Sequence, residues 1–130
     1  MAGRKLSSKT ETEVVFMEAL LLQCATLNRK VEEYGASKKN AEGQVQTIVR
    51  ELTFIRQRAM MKNLGMIADA AGALSQQAGR GSQTQRTRVL RDGVATFKQL
   101  LDRVIKATID ADGRARHEAE EKMAKLKAGN

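Results

Sequence analysis

Proline is absent from this chain of 130 residues, and so is tryptophan; aromatic residues make up only 3% of it. Sandwiches and barrels draw on proline and aromatics for turns, edges and cores. Their scarcity disfavours an all-β fold and favours long, uninterrupted helices. Cysteine occurs once, as Cys24, which excludes an intrachain disulfide and makes a reducing compartment the simplest setting. Long apolar runs are also lacking. The longest, Val14 to Leu27, is too short for a membrane span and carries Glu18 and Gln23. The opening MAGRKLSSKTETE has basic residues with no apolar core behind them, unlike a secretion signal. A cytoplasmic protein is the expectation.

Acid is in short supply. Lys and Arg number 23 against 15 Asp and Glu, for a formal net charge of +8. Such an excess favours nucleic acid, an anionic membrane or an acidic protein as partner. It is spread over both halves of the chain, so there is no basic tail. The length allows one domain with a core large enough to need neither disulfide nor metal.

Three long helical segments stand out. The first is announced by Ser8-Lys9-Thr10-Glu11 and by Thr10 with Glu13, both at capping-box spacing. Met17, Leu20, Leu21, Cys24, Leu27, Val31 and Tyr34 then recur at three- and four-residue steps. Val15, Ala19 and Leu22 lie on the other side, so the first turns are apolar nearly all round and are expected to be buried by more than one neighbour. Gly35 is placed to end this helix, and Asn40 to cap the next.

The second helix is expected from about Ala41 to about Ser75, roughly 50 Å. Val45, Ile48, Val49, Leu52, Ile55, Ala59, Met66, Ile67, Ala70 and Leu74 form its stripe, with Asn63 near the middle. A buried Asn there would fix register or partner number; a partly exposed Asn at a widening of the bundle is the alternative. Phe54 and Met61 lie nearly opposite the stripe and Leu64 flanks them. This is a second apolar face, either covered by the first helix or offered to a partner.

The third helix is preceded by QQAGRGSQTQRTR, Gln76 to Arg88, in which Ser82 and Gln85 have capping-box spacing. Leu90, Val94, Phe97, Leu101, Val104 and Thr108 give it a regular apolar stripe. Gly113 is placed to end or bend it. Beyond lies a charged segment in which Glu118 with Lys122 and Glu121 with Lys125 stand at i,i+4. The organisation expected is a flexible 1–8, a helical bundle over 9–112 and a charged helical extension over 113–130. The fold class is all-α, an antiparallel three-helix or four-helix bundle with coiled-coil-like packing.

Catalytic constellations are missing. Cys24 falls on a core stripe and His117, the only histidine, in a charged segment, so neither has a base or orienting group in view. One Cys and one His do not make a zinc site. Asp110-Ala-Asp112-Gly113 resembles part of a calcium loop, but Thr108 and Ala119 occupy the positions of two essential ligands. It reads as a polar break with Asp110 or Asp112 available as a cap. No catalytic residue, metal or cofactor is expected. Gly79-Arg80-Gly81-Ser82 ahead of a helix is not a P-loop, though it can present backbone N–H groups to an anion. Arg80, Arg86, Arg88 and Arg91 are candidate phosphate contacts; with no aromatic among them, base stacking is not expected. IADAAG and AGRGS ahead of a basic helix resemble the small four-helix-bundle proteins encoded in ribosomal RNA intervening sequences, but without the proline those proteins carry nearby. The likeness implies a bundle and nothing about chemistry.

The expectation is therefore a non-catalytic binding or assembly protein that self-associates or docks partner helices, with Phe54, Met61 and Leu64 as the interface. The alternative is a nucleic-acid-binding accessory protein that contacts phosphates through residues 79–91.

Overall fold

The computed structural model describes residues 6–128 and is helical throughout apart from short connectors. Four helices follow one another: α1 (Ser8–Ala36), α2 (Ala41–Met61), α3 (Gly65–Gln77) and α4 (Gln83–Ala128). Each packs on the next, and α4 closes the bundle on α1. Neighbours run antiparallel. Lys30 of α1 pairs with Glu51 of α2, and Gln23 lies level with Arg58. Along α1 and α4, Glu32 meets Arg91 near one end and Ser7 meets Asp112 near the other.

The core gathers the predicted stripes. Met17, Leu20, Leu27 and Val31 of α1 meet Ile48, Leu52 and Ile55 of α2, Ile67 and Ala71 of α3, and Leu90, Val94, Phe97 and Leu101 of α4. Cys24 lies among them, and burial pushes its thiol up to about 11. Lys98 nearby pulls the other way and Asp102 adds to the rise. Two glycines let helices approach closely: a Cβ on Gly35 would sit 2.7 Å from Thr87 Cγ2, and one on Gly93 would run into Leu74.

The single second helix predicted over 41–75 is two helices. The break is at Asn63, in the left-handed region at φ 59°. Asn63 N–H donates to Met60 O at 3.0 Å and Leu64 N–H reaches back to Ala59 O at 2.9 Å. This is a Schellman ending with Asn in the place usually held by glycine. Asn63 is exposed, so it sets no register within a seam. The turn sends α3 back along α2, with Leu64 half-buried against the core.

Other ends are closed by side chains. Ser82 and Gln85 form the predicted reciprocal cap: Gln85 N–H donates to Ser82 Oγ at 3.2 Å and Ser82 N–H to Gln85 Oε1 at 2.9 Å. The first helix is capped by Ser7, whose Oγ accepts from Thr10 N–H at 3.3 Å. Gln83 donates to the carbonyls of Tyr34 and Ser37, satisfying the end of α1 from α4. Asn40 takes a left-handed φ of 57° and makes no side-chain cap. Gly35 and Gly43 lie inside α1 and α2.

The predicted break at Gly113 does not occur; α4 runs through it for 46 residues, roughly 69 Å. Asp112 still acts as a cap, but for the start of α1. Its carboxylate accepts from Ser7 Oγ at 2.7 Å, Thr10 Oγ1 at 3.0 Å and Ser7 N–H at 3.3 Å, with Arg116 Nε at 3.5 Å. The hydrogen bond from Ser7, with that from Thr10 behind it, holds the carboxyl below its ordinary range against the opposing pull of burial. Residues 1–5 and 129–130, the outer parts of the flexible and extension segments, lie outside the described residues.

Candidate protein-interaction face

Two sides of the bundle bear on function. The first is the outer side of α1 and α2. Phe54 and Met61 are seven residues apart, two helical turns, which sets them on one line of α2 away from its core stripe. Both are uncovered, at 52% and 83% exposure. The outer line of the neighbouring α1 is uncovered as well, with Val15 at 59%, Leu22 at 78%, and Ala19 between. The all-round apolarity of the first turns is therefore not matched by burial on all sides. Val15 and Leu22 face outward, because α2 and α4 occupy only two sides of α1.

Between the two lines, Arg58 donates to Gln23 Oε1 at 3.3 Å, and Lys62 sits 5.8 Å from the centre of the Phe16 ring. Both are α2 bases on the α1 side of the helix. The two acids of α2 are used elsewhere, Glu42 by Arg86 and Glu51 by Lys30, so Arg50, Arg56, Arg58 and Lys62 have no acidic partner among the described residues. On α1 the balance is reversed: Glu11, Glu13 and Glu18 have no basic partner among the described residues. Bases therefore lie between the two apolar lines, and unpaired acids lie elsewhere on α1.

Of the three predicted interface residues, the structure brings Phe54 and Met61 together on this face. Leu64 is elsewhere, folded under the α2–α3 turn. Val15 and Leu22 complete the face and were not assigned to it from sequence. A signal was present in their placement opposite the core stripe of α1. Met60 and Met66 are exposed near the turn as well, at 53% and 66%.

The second side is the start of α4. Arg86 and Arg91 are not free: Arg86 pairs with Glu42 at 3.0 Å and donates to Gly79 O, while Arg91 grips Glu32 with two bonds of 2.7 and 3.0 Å. The Arg91 hydrogen bond holds the Glu32 carboxyl below its ordinary range. Arg80 and Arg88 are exposed without an acidic partner among the described residues. The run lacks acids in sequence, but α1 and α2 supply them in space. The backbone N–H of Gln85 is already taken by Ser82.

The Cys24 thiol is buried and far from its reactive thiolate form. His117 lies on the exposed extension, 3.1 Å from Glu121. Among the described residues no three His, Cys, Asp or Glu side chains converge as metal ligands, and no helix is long and apolar enough to cross a membrane. No family model, curated protein or solved structure matches this chain.

Proposed function

We propose that this is a non-catalytic helical assembly protein of the cytoplasm, which self-associates or docks partner helices on the outer α1–α2 face. One observation carries the reading: four large apolar side chains, Val15 and Leu22 of α1 and Phe54 and Met61 of α2, stand more than half exposed on two neighbouring helices. Monomeric surfaces rarely gather such residues without a partner to cover them. The pattern suits docking of a partner helix with coiled-coil-like packing, in which the partner's apolar residues meet those of α1 and α2 and the charges beside them set orientation. Phe54→Lys is expected to weaken assembly by about tenfold or more while leaving the thermal midpoint nearly unchanged, since the side chain is half exposed. Sedimentation of the variant beside the wild type measures the first and circular dichroism the second. Unchanged assembly would remove this face from the function.

The nucleic-acid alternative keeps Arg80 and Arg88 as its open phosphate contacts. It requires retention on DNA or RNA at low salt that falls steeply as salt rises. No retention at low salt removes it.

A further inference from the structure

The first turn of α1 is fastened to α4 through Asp112. Ser7 stands just ahead of the helix, exposed and extended, at φ −61° and ψ 154°. Its hydroxyl accepts from Thr10 N–H at 3.3 Å and donates to Asp112 Oδ1 at 2.7 Å. The Asp112 side chain is nearly enclosed, at 8% exposure, so this carboxylate depends on the protons that Ser7 and Thr10 give it. An exposed hydroxyl thus holds a buried charge, and a change at that oxygen is felt by both helices.

The residues before it carry a second signal. Arg4-Lys5-Leu6-Ser7 sets bases three and two residues ahead of the hydroxyl. No other serine or threonine of the chain has bases at both steps; Thr53 has Arg50 at the first but Glu51 at the second. Charge patterns of this kind are what a kinase reads in its substrate, since bases drawn to an acidic cleft orient the hydroxyl that follows. We propose that Ser7 is a phosphorylation site for a serine kinase with an acidic substrate cleft, and that the phosphate unfastens the start of α1 from α4.

The donor is ATP. Ser7 Oγ attacks the γ-phosphorus, the bond from that phosphorus to the bridging oxygen of ADP breaks, and the hydroxyl proton passes to the kinase's base. Access comes from fraying of the first turn, the cheapest opening a helix makes. The product has no proton on Oγ to give Asp112, and it brings about −1.5 to −2 of charge. A helix start by itself favours a phosphate. Here a carboxylate lies one hydrogen bond from the same oxygen, nearly enclosed, where salt and water screen little. Arg116 already balances Asp112, His117 faces Glu121, and Glu120 lines the same shallow pocket as Leu6 and Asp112. The phosphate therefore cannot close the latch again, and the open form persists.

Tandem mass spectrometry on the protein isolated from its own cells is expected to find phosphate on Ser7, and to lose it in Arg4→Ala expressed in the same cells. Hydrogen exchange then reads the latch. In the phosphorylated chain, peptides covering 7–14 and 109–116 are expected to exchange about tenfold or more faster, while one covering 90–101 keeps its rate. Ser7→Ala loses the hydroxyl without gaining charge, and is expected to open both segments less. Absence of phosphate from Ser7, or phosphate on Ser8 alone, overturns the proposal. So does a phosphorylated chain that opens no further than Ser7→Ala.

Discussion

The two halves of α4 are one continuous helix with opposite surroundings. Between Leu90 and Leu101 it is held by α1 and α3, and Leu90, Val94, Phe97 and Leu101 are fully enclosed. After Asp112 it is exposed apart from Gly113 and Arg116, which share a shallow pocket with Leu6. The first half is helical because its apolar stripe is buried; the second is helical on the strength of Ala, Glu, Lys and Met alone. The same secondary structure therefore reports two different things, a packed core in one place and an unsatisfied surface in the other. Half-buried Val104, Ile105, Thr108 and Ile109 form the transition, where the short α3 has already turned away.

Substitutions of the same kind in the two halves should separate them. Leu101→Ala opens a cavity at a fully buried site and is expected to cost about 2–5 kcal/mol, visible as a fall in Tm of more than about 8 °C. A fall no greater than that of a surface variant would mean the core is wrongly placed. At the border between the halves, Asp112→Asn removes the charge that accepts from Ser7 and Thr10 and lowers Tm by a smaller amount. Because the folded Asp112 carboxyl titrates below its unfolded value, its contribution is present above the ordinary carboxylate range. It is lost as pH falls through the depressed folded value. The Tm gap between wild type and Asp112→Asn should therefore narrow in strong acid. A gap constant from neutral to acid pH would deny the carboxylate that role. Least of all, Leu126→Ala should change stability by no more than about 0.5 kcal/mol in a circular dichroism melt, since the side chain is 68% exposed.

Much of this was legible in the sequence. The core stripes of α1 and α4 were read nearly residue for residue, because a 3.6-residue period leaves little choice over so many turns. The Ser82–Gln85 cap was equally plain, since both partners of a reciprocal bond lie three residues apart. The break at Asn63 was missed although its signal was present. Asparagine tolerates the left-handed backbone, and the stripe between Ala59 and Met66 has no apolar residue at its expected steps. Reading Asn63 as a polar guest in a seam overlooked the commoner use of the residue.

The ion pairs were harder. Glu32 and Arg91 are 59 residues apart, and only the antiparallel packing of α1 on α4 joins them. Sequence periodicity places charges on faces but does not say which faces meet. For the same reason Phe54 and Met61 were found as an apolar line, while Val15 and Leu22 were expected to be covered. Leu64 was assigned to the line because the helix was taken to continue past it.

Methionine oxidation, followed residue by residue as protein concentration rises, tests the assembly face most directly. Met61 stands on the face at 83% exposure and Met66 off it at 66%, so each serves as the other's control. The assembly account predicts that Met61 becomes protected as the protein associates while Met66 reacts at an unchanged rate. Equal reactivity of the two across the range, in a sample shown to associate, would contradict it.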